Sequence, residues 1–333
     1  MNNDIKSFSV GYNPINKSNI FRSGDCITGQ ISLELAKECK IVSLWVKLKG
    51  KAQVKWTEHY GKTSVTYHSK DKYFSVKQHI IQDVKGDNIV GGGCHVYPFT
   101  FQIPSQDLPS SFKGSHGKIK YTLKANLSRK MKVDSKAKTK FTMVHIGNSD
   151  SSLMIPQRNT VEKKMNIFTS GSVSMDVNIE RTALRQGEGI KIMASIYNKS
   201  SREIKPKYCL YKKYSYFAMK RRKVETKDIV KEVGEPVPPS TSQTVTRTII
   251  IPPTTCASIY NCKIIKAEYR LRVYLDVKYA RDPGIKFPIV ILPALEGPEE
   301  ERYSAYDSET FAQPPPYGAH EMYPSFTDFH RKS

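Results

Sequence analysis

Apolar and polar residues alternate with a period of two along most of this chain. In Ile27-Thr28-Gly29-Gln30-Ile31-Ser32-Leu33-Glu34-Leu35 the apolar residues fall at odd positions, which places them on one face of an extended strand. The pattern recurs over residues 42–48, 99–103, 118–127, 173–179, 190–196, 245–251 and 269–277. Turn-forming clusters separate these runs: Ser23-Gly24-Asp25, Gly91-Gly92-Gly93, Gln186-Gly187-Glu188 and Asp282-Pro283-Gly284. Only residues 35–40 offer a short helical alternative. Many short strands between Gly/Pro turns predict an all-β chain built of β-sandwiches.

The other classes fall away. No heptad persists, and the most apolar stretch, residues 287–295, is broken by Pro288 and Pro293, far short of the ~20 apolar residues of a spanning helix. Aromatic residues make up 10% of the 333, with 19 tyrosines, more than a wholly disordered chain carries. The opening Met1-Asn2-Asn3-Asp4 leads into no apolar core, so no signal peptide is expected. The six cysteines are then expected to stay reduced, and none forms a C-x-x-C pair.

The body reads as duplicated. Gly24-Asp25-Cys26-Ile27 resembles Gly187-Glu188-Gly189-Ile190 at an offset of 163, which still relates Ile41 to Ile204. Ile103-Pro104 matches Ile251-Pro252 and Tyr121-Thr122-Leu123 matches Tyr269-Arg270-Leu271, both at an offset of 148. The second copy is thus about 15 residues shorter in its middle. The seam lies in the polar stretch that begins at Gly147-Asn148-Ser149-Asp150. The expected domains are 5–148 and 170–293, each a sandwich, with a linker over 149–169.

Charge divides the chain differently. The whole carries +22, but residues 294–333 hold three basic and eight acidic residues, so the rest carries +27. That acidic, Pro- and Tyr-bearing tail, 294–333, has little to bury and is expected to be disordered. It contains Pro314-Pro315-Pro316-Tyr317, a P-P-x-Y sequence. Proline fixes φ, so the segment is pre-set toward polyproline II and loses little entropy on docking into the aromatic-lined groove of a WW domain. Tyr323-Pro324-Ser325-Phe326 fits the short sorting pattern Y-x-x-Φ; two fixed positions make an ordinary tail tyrosine the better reading of Tyr323 and Phe326.

Lysines alternate as well. Lys47, Lys49 and Lys51 share one parity, as do Lys118, Lys120 and Lys124, and Lys136, Lys138 and Lys140. Each set projects from one face of its strand. Lys220-Arg221-Arg222-Lys223 forms a compact run near Lys212 and Lys213. Lysines also solvate outer faces and blunt edges, yet +27 favours an anionic partner: acidic lipid headgroups, phosphorylated receptor tails or nucleic acid. Nucleic acid ranks last, because the sequence holds no zinc finger, RRM signature or recognition helix. Catalysis finds no support. There is no G-x-S-x-G, H-E-x-x-H or P-loop, Gly91-Gly92-Gly93 lacks the following Lys-Ser/Thr, and His59, His68 and the pair Cys94-His95 show no ligand spacing. No cofactor and no metal are expected.

The chain resembles the arrestins. The likeness rests on 21–29 (Phe-Arg-Ser-Gly-Asp-Cys-Ile-Thr-Gly), 98–104 (Pro-Phe-Thr-Phe-Gln-Ile-Pro), Leu108-Pro109-Ser110-Ser111-Phe112 and Gly117-Lys118-Ile119-Lys120-Tyr121. In the second half it rests on Gln186-Gly187-Glu188-Gly189-Ile190 and Asn198-Lys199-Ser200-Ser201-Arg202. The Pro/Ser/Gly-rich stretch 108–117, without an amphipathic helix, is similar to the α-arrestin branch. The resemblance implies two tandem arrestin-type antiparallel β-sandwiches. It implies a cytoplasmic trafficking adaptor, peripheral to plasma membrane and endosomes, that links membrane receptor or transporter cargo to WW-bearing HECT-type ubiquitin ligases through P-P-x-Y. Well-known members carry two such motifs on a longer tail; one is present here. A coat or sorting-complex subunit of the same fold, which has no need of that motif, is the competing expectation.

Overall fold

The computed structural model describes residues 4–82, 88–147, 154–164, 171–277 and 282–294. Apart from Ala294, the tail expected to be disordered, with residues 314–317 and both Tyr323 and Phe326, lies outside the described residues. No α-helix occurs among the described residues. The helical alternative at 35–40 is a bend between two strands: Leu35 ends one, Cys39 begins the next, and the Ala36 amide donates to the Asp4 carbonyl at 2.8 Å. Six residues hold too few internal hydrogen bonds to compete with the flanking ladders.

The first half folds as β1 (Ile5–Tyr12), β2 (Ile20–Phe21), β3 (Cys26–Leu35), β4 (Cys39–Tyr60), β5 (Thr63–Gln82), β6 (Ile89–Val90), β7 (Gly93–Gln102), β8 (Phe112–Lys113), β9 (Gly117–Arg129) and β10 (Lys132–Met143). One sheet runs β1-β3-β7; the other runs β2-β10-β9-β4-β5, with β6 and β8 attached. The second half folds as β11 (Gln157–Lys164), β12 (Gly171–Ile179), β13 (Ala183–Arg185), β14 (Gly189–Ser200), β15 (Lys205–Ala218), β16 (Arg221–Val233), β17 (Thr241–Ile250), β18 (Ile265–Asp276) and β19 (Gly284–Leu292). Its sheets run β11-β12-β14-β17 and β13-β19-β18-β15-β16. Part of the segment expected to be linker, residues 157–164, is thus β11, paired antiparallel with β12. Gln-Arg-Asn-Thr-Val-Glu-Lys-Lys holds one apolar residue, Val161, so no apolar alternation marks it as a strand in the sequence.

The larger sheets of the two halves repeat each other, β2-β10-β9-β4-β5 matching β13-β19-β18-β15-β16. In both, the larger sheet ends on a short strand lying parallel to its neighbour, β2 on β10 and β13 on β19. Tyr121 in β9 and Tyr269 in β18 occupy equivalent strands. Gly24 and Gly187 both sit at φ +87, a conformation that favours glycine. After each, Asp25 and Glu188 turn back to accept the backbone amide three residues earlier, Arg22 at 2.6 Å and Arg185 at 2.9 Å. The missing residues of the second copy come from one hairpin. β4 and β5 have 22 and 20 residues, whereas β15 and β16 have 14 and 13.

The alternating residues build the core. Val46, Leu48, Ile119, Leu123 and Leu127 from one face, and Ile27, Ile31, Leu33 and Phe101 from the other, are essentially solvent-free, each contributing about 1.5–3 kcal/mol by leaving water. The sandwiches also meet each other. Phe112 packs edge-on against Tyr214 at 5.1 Å between centroids, His116 against Tyr216 at 5.5 Å, and the Tyr73 hydroxyl donates to Cys262 Sγ at 3.2 Å.

Candidate functional site

The outer face of the larger first-half sheet is built by strand register. β4 lies between β9 and the edge strand β5, and β10 lies beyond β9. Cross-strand partners share a face, so each registered set forms a row. One row reads Lys77, Lys47, Lys124, Lys138; the next reads Ser75, Lys49, Thr122, Lys140. Then come Lys72, Lys51, Lys120, and finally Lys70, Gln53, Lys118, Lys113. The three lysine sets seen in the sequence therefore coalesce into one field. Its counterparts point inward as Val46, Leu48, Gly50 and Ala52.

Four lysines that the sequence reading missed complete it. Lys113 sits on a two-residue strand. Lys70 and Lys72 have even numbers and Lys77 an odd one. They share a face because the β4–β5 ladder is irregular between Gly50 and Lys51, where Phe74 and Lys72 are successive partners. An extra residue in a ladder changes the parity, and nothing in the linear pattern announces it.

Repulsion across the field is evident. The Lys51 ammonium titrates below its usual range because burial removes water from it, with Lys49, Lys70, Lys138 and Lys118 adding like charge. Lys120 is lowered in the same way, first by burial and then by Lys118, Lys140, Lys138 and Lys113. Asp134 borders the field, taken up by the Asn126 side-chain amide at 3.1 Å. Within the rows the compensation is aromatic: Trp45, half-buried on this face, carries the ammoniums of Lys77, Lys47 and Lys124 at 4.7, 5.1 and 5.7 Å from its ring.

The equivalent face of the second half shows what ordinary solvation looks like. There Lys207 pairs with Asp276 at 2.6 Å and Lys213 with Glu268 at 3.7 Å, and Asp228 stands opposite Tyr211. The same sheet position thus carries mixed charge in one copy and lysine alone in the other.

The run at 220–223 lies elsewhere, at the tip of the β15–β16 hairpin, where Met219 and Lys220 take φ of +49 and +63. It does not act as one patch. Lys220 and Arg221 are exposed. Arg222 lies over the Phe217 ring at 5.6 Å and donates to the Ser215 hydroxyl at 2.8 Å. Lys223 meets Glu58 of the β4–β5 hairpin at 3.6 Å. Glu58 is held below the usual carboxylate range, first by the Tyr60 hydroxyl, with Trp56 and Lys223 assisting.

The histidines make local contacts: His59 Nδ1 with the Ser64 hydroxyl at 2.7 Å, and His95 Nε2 with the Gly91 carbonyl at 2.8 Å. Among the described residues no group of three or more His, Cys, Asp or Glu side chains could hold a metal. No helix among them is long and apolar enough to cross a membrane.

Residues 8–148 match the family model described as "Arrestin (or S-antigen), N-terminal domain", and residues 169–294 match "Arrestin (or S-antigen), C-terminal domain". Arrestin domain-containing protein 4 of Homo sapiens is 30% identical over 299 residues, spanning 86% of this chain and 71% of the relative. The Mus musculus protein of that name is 29% identical, over 86% and 72%. Thioredoxin-interacting protein of Mus musculus is 28% identical over 302 residues, 88% of this chain and 74% of the relative.

Proposed function

Since this chain belongs to the arrestin family, in its α-arrestin branch, we propose that it is a non-catalytic trafficking adaptor. One part of it recruits a ubiquitin ligase and the body engages membrane cargo. The observation that carries the ligase half is Pro314-Pro315-Pro316-Tyr317, placed after the second arrestin domain in an acidic, Pro-bearing segment. The partner is a WW domain of a HECT-type ligase, with the prolines supplying the polyproline ridge and Tyr317 the aromatic anchor.

A short peptide of this kind buries little area, so affinity is on the order of micromolar. With one motif in the chain, recruitment depends on several adaptor copies, several WW domains or co-localisation on a membrane. The site of action in this reading is the cytoplasmic face of plasma membrane and endosomes, and the lysine field is the surface that meets an anionic partner there.

Co-precipitation with a WW-bearing ligase tests the reading. Tyr317→Ala should abolish it, while Tyr323→Ala should leave it unchanged. Equal binding of isolated WW domains to wild-type and Tyr317→Ala protein would remove the ligase half and favour a coat-type subunit.

A further inference from the structure

We propose that the lysine face of the first sandwich docks flat against an anionic lipid bilayer, so that β4 and β9 lie parallel to the membrane plane. This deepens the adaptor reading and rests on it only for the side of the membrane involved. The face has three properties that together select a bilayer. It is continuous: its rows come from four neighbouring strands of one sheet, covering roughly 20 Å along the strands and 15 Å across them. It is of one sign, with carboxylates absent from the rows where the duplicate sheet places them. Its cations are all lysine. An ammonium is a point charge that suits dispersed headgroups, whereas recognition of a single carboxylate or phosphate favours the bidentate fork of arginine.

Other anionic partners fit less well. An acidic peptide adds to a pocket or a free sheet edge; the open edge here is β5, whereas most of the lysine rows lie inward on β4 and β9, whose backbone groups are paired on both sides. Two clefts lie in the second half, around Arg272 and Lys286. Single-stranded nucleic acid needs open rings for base stacking, and the Trp45 ring is taken by three ammoniums. Cross-strand lysine neighbours stand about 5 Å apart at Cβ, inside the screening length of about 8 Å at physiological salt, so each row attracts a surface as a set.

Trp45 makes the orientation measurable. The chain has two tryptophans. Trp56 is buried against Tyr67, with ring centroids 5.3 Å apart, and donates to Glu58, whereas Trp45 lies in the lysine face. The experiment uses full-length protein and vesicles of phosphatidylcholine with about one-third phosphatidylserine, beside pure phosphatidylcholine. Sedimentation should require the anionic lipid. Replacing the exposed Lys72, Lys77, Lys138 and Lys140 by alanine should lower partition by about 600-fold, at roughly fivefold per lysine. The pair Lys220→Ala and Arg221→Ala should change it less than about twofold. Brominated lipid should quench the wild-type emission, and Trp45→Phe should abolish that quenching. Sedimentation unchanged by the four alanines, with the fold intact by circular dichroism, would overturn the proposal. So would capture of polyglutamate or RNA in place of vesicles, or quenching that persists in Trp45→Phe. Ligase co-precipitation, read on the same proteins, keeps the two proposals separate: the four alanines should preserve it, and Tyr317→Ala should preserve vesicle binding.

Discussion

Tyr121 and Tyr269 show what duplication means for single residues. Each lies buried in the middle strand of its larger sheet, and each hydroxyl donates to a carbonyl of a preceding loop, Pro109 at 2.7 Å and Cys256 at 2.5 Å. Burial pushes both phenols well above their usual range. Tyr121→Phe and Tyr269→Phe each leave a buried acceptor unpaired, so each should cost about 1–3 kcal/mol in urea unfolding. A cost confined to one of them would show that the two loops are not held alike. Asp4 is a second informative residue. Its carboxylate, 4% exposed, meets Lys132, Lys37 and Arg129, and the Lys132 hydrogen bond leads in holding it below its ordinary value of 3.8. A carboxyl lowered on folding contributes stability that is present above its unfolded value and lost as pH falls through the folded one. Asp4→Asn should therefore lower the urea midpoint at pH 6 and flatten its fall between about pH 4 and 2. A wild-type slope in the variant would assign the acid transition to other groups.

Among the elements, β1 depends on how closely it approaches β3. A Cβ on Gly29 would stand 2.2 Å from the Gly11 carbonyl oxygen and 2.7 Å from the Phe99 ring. The first obstacle is backbone, so Gly29→Ala must push β1 outward, at about 1–3 kcal/mol or more. Amide exchange in β1 should accelerate well beyond that in β9, and uniform protection across both strands would refute the local account. The long β4–β5 hairpin is the other informative element. Its length sets it apart from its duplicate, and its tip brings Glu58 to Lys223. Those carboxyl and ammonium groups are partly exposed, so Lys223→Ala should leave the urea midpoint nearly unchanged.

At the scale of the whole molecule, the charge imbalance has a measurable consequence. The body's +27 includes a face on which lysine neighbours lysine with no acid between. Screening should relieve that repulsion, so the melting temperature should rise as sodium chloride goes from about 10 to 150 mM. The variant lacking Lys72, Lys77, Lys138 and Lys140 should show a smaller rise, and an equal one would place the repulsion elsewhere. Much of this molecule was legible in one dimension. A period of two needs only local spacing, so the strands 26–35, 117–129, 189–200 and 265–276 were readable, and two sustained offsets revealed the repeat because both copies kept their turn glycines and their Tyr-x-Leu strands. Family membership followed from the same residues. Alternation also showed that each lysine set shares a side of its own strand, but not that the sets lie next to one another. Adjacency is fixed by which strands pair and in what register, and pairing β4 with β5 and β9 joins residues far apart in the chain. A single irregularity at Gly50/Lys51 then moves Lys70 and Lys72 onto the face of Lys77. Likewise β11 is a strand because β12 offers it a ladder, and Lys223 is tied to Glu58 because two hairpins from different sandwiches meet. Local chemistry determined the strands; only the long-range hydrogen-bond register decided what they present together.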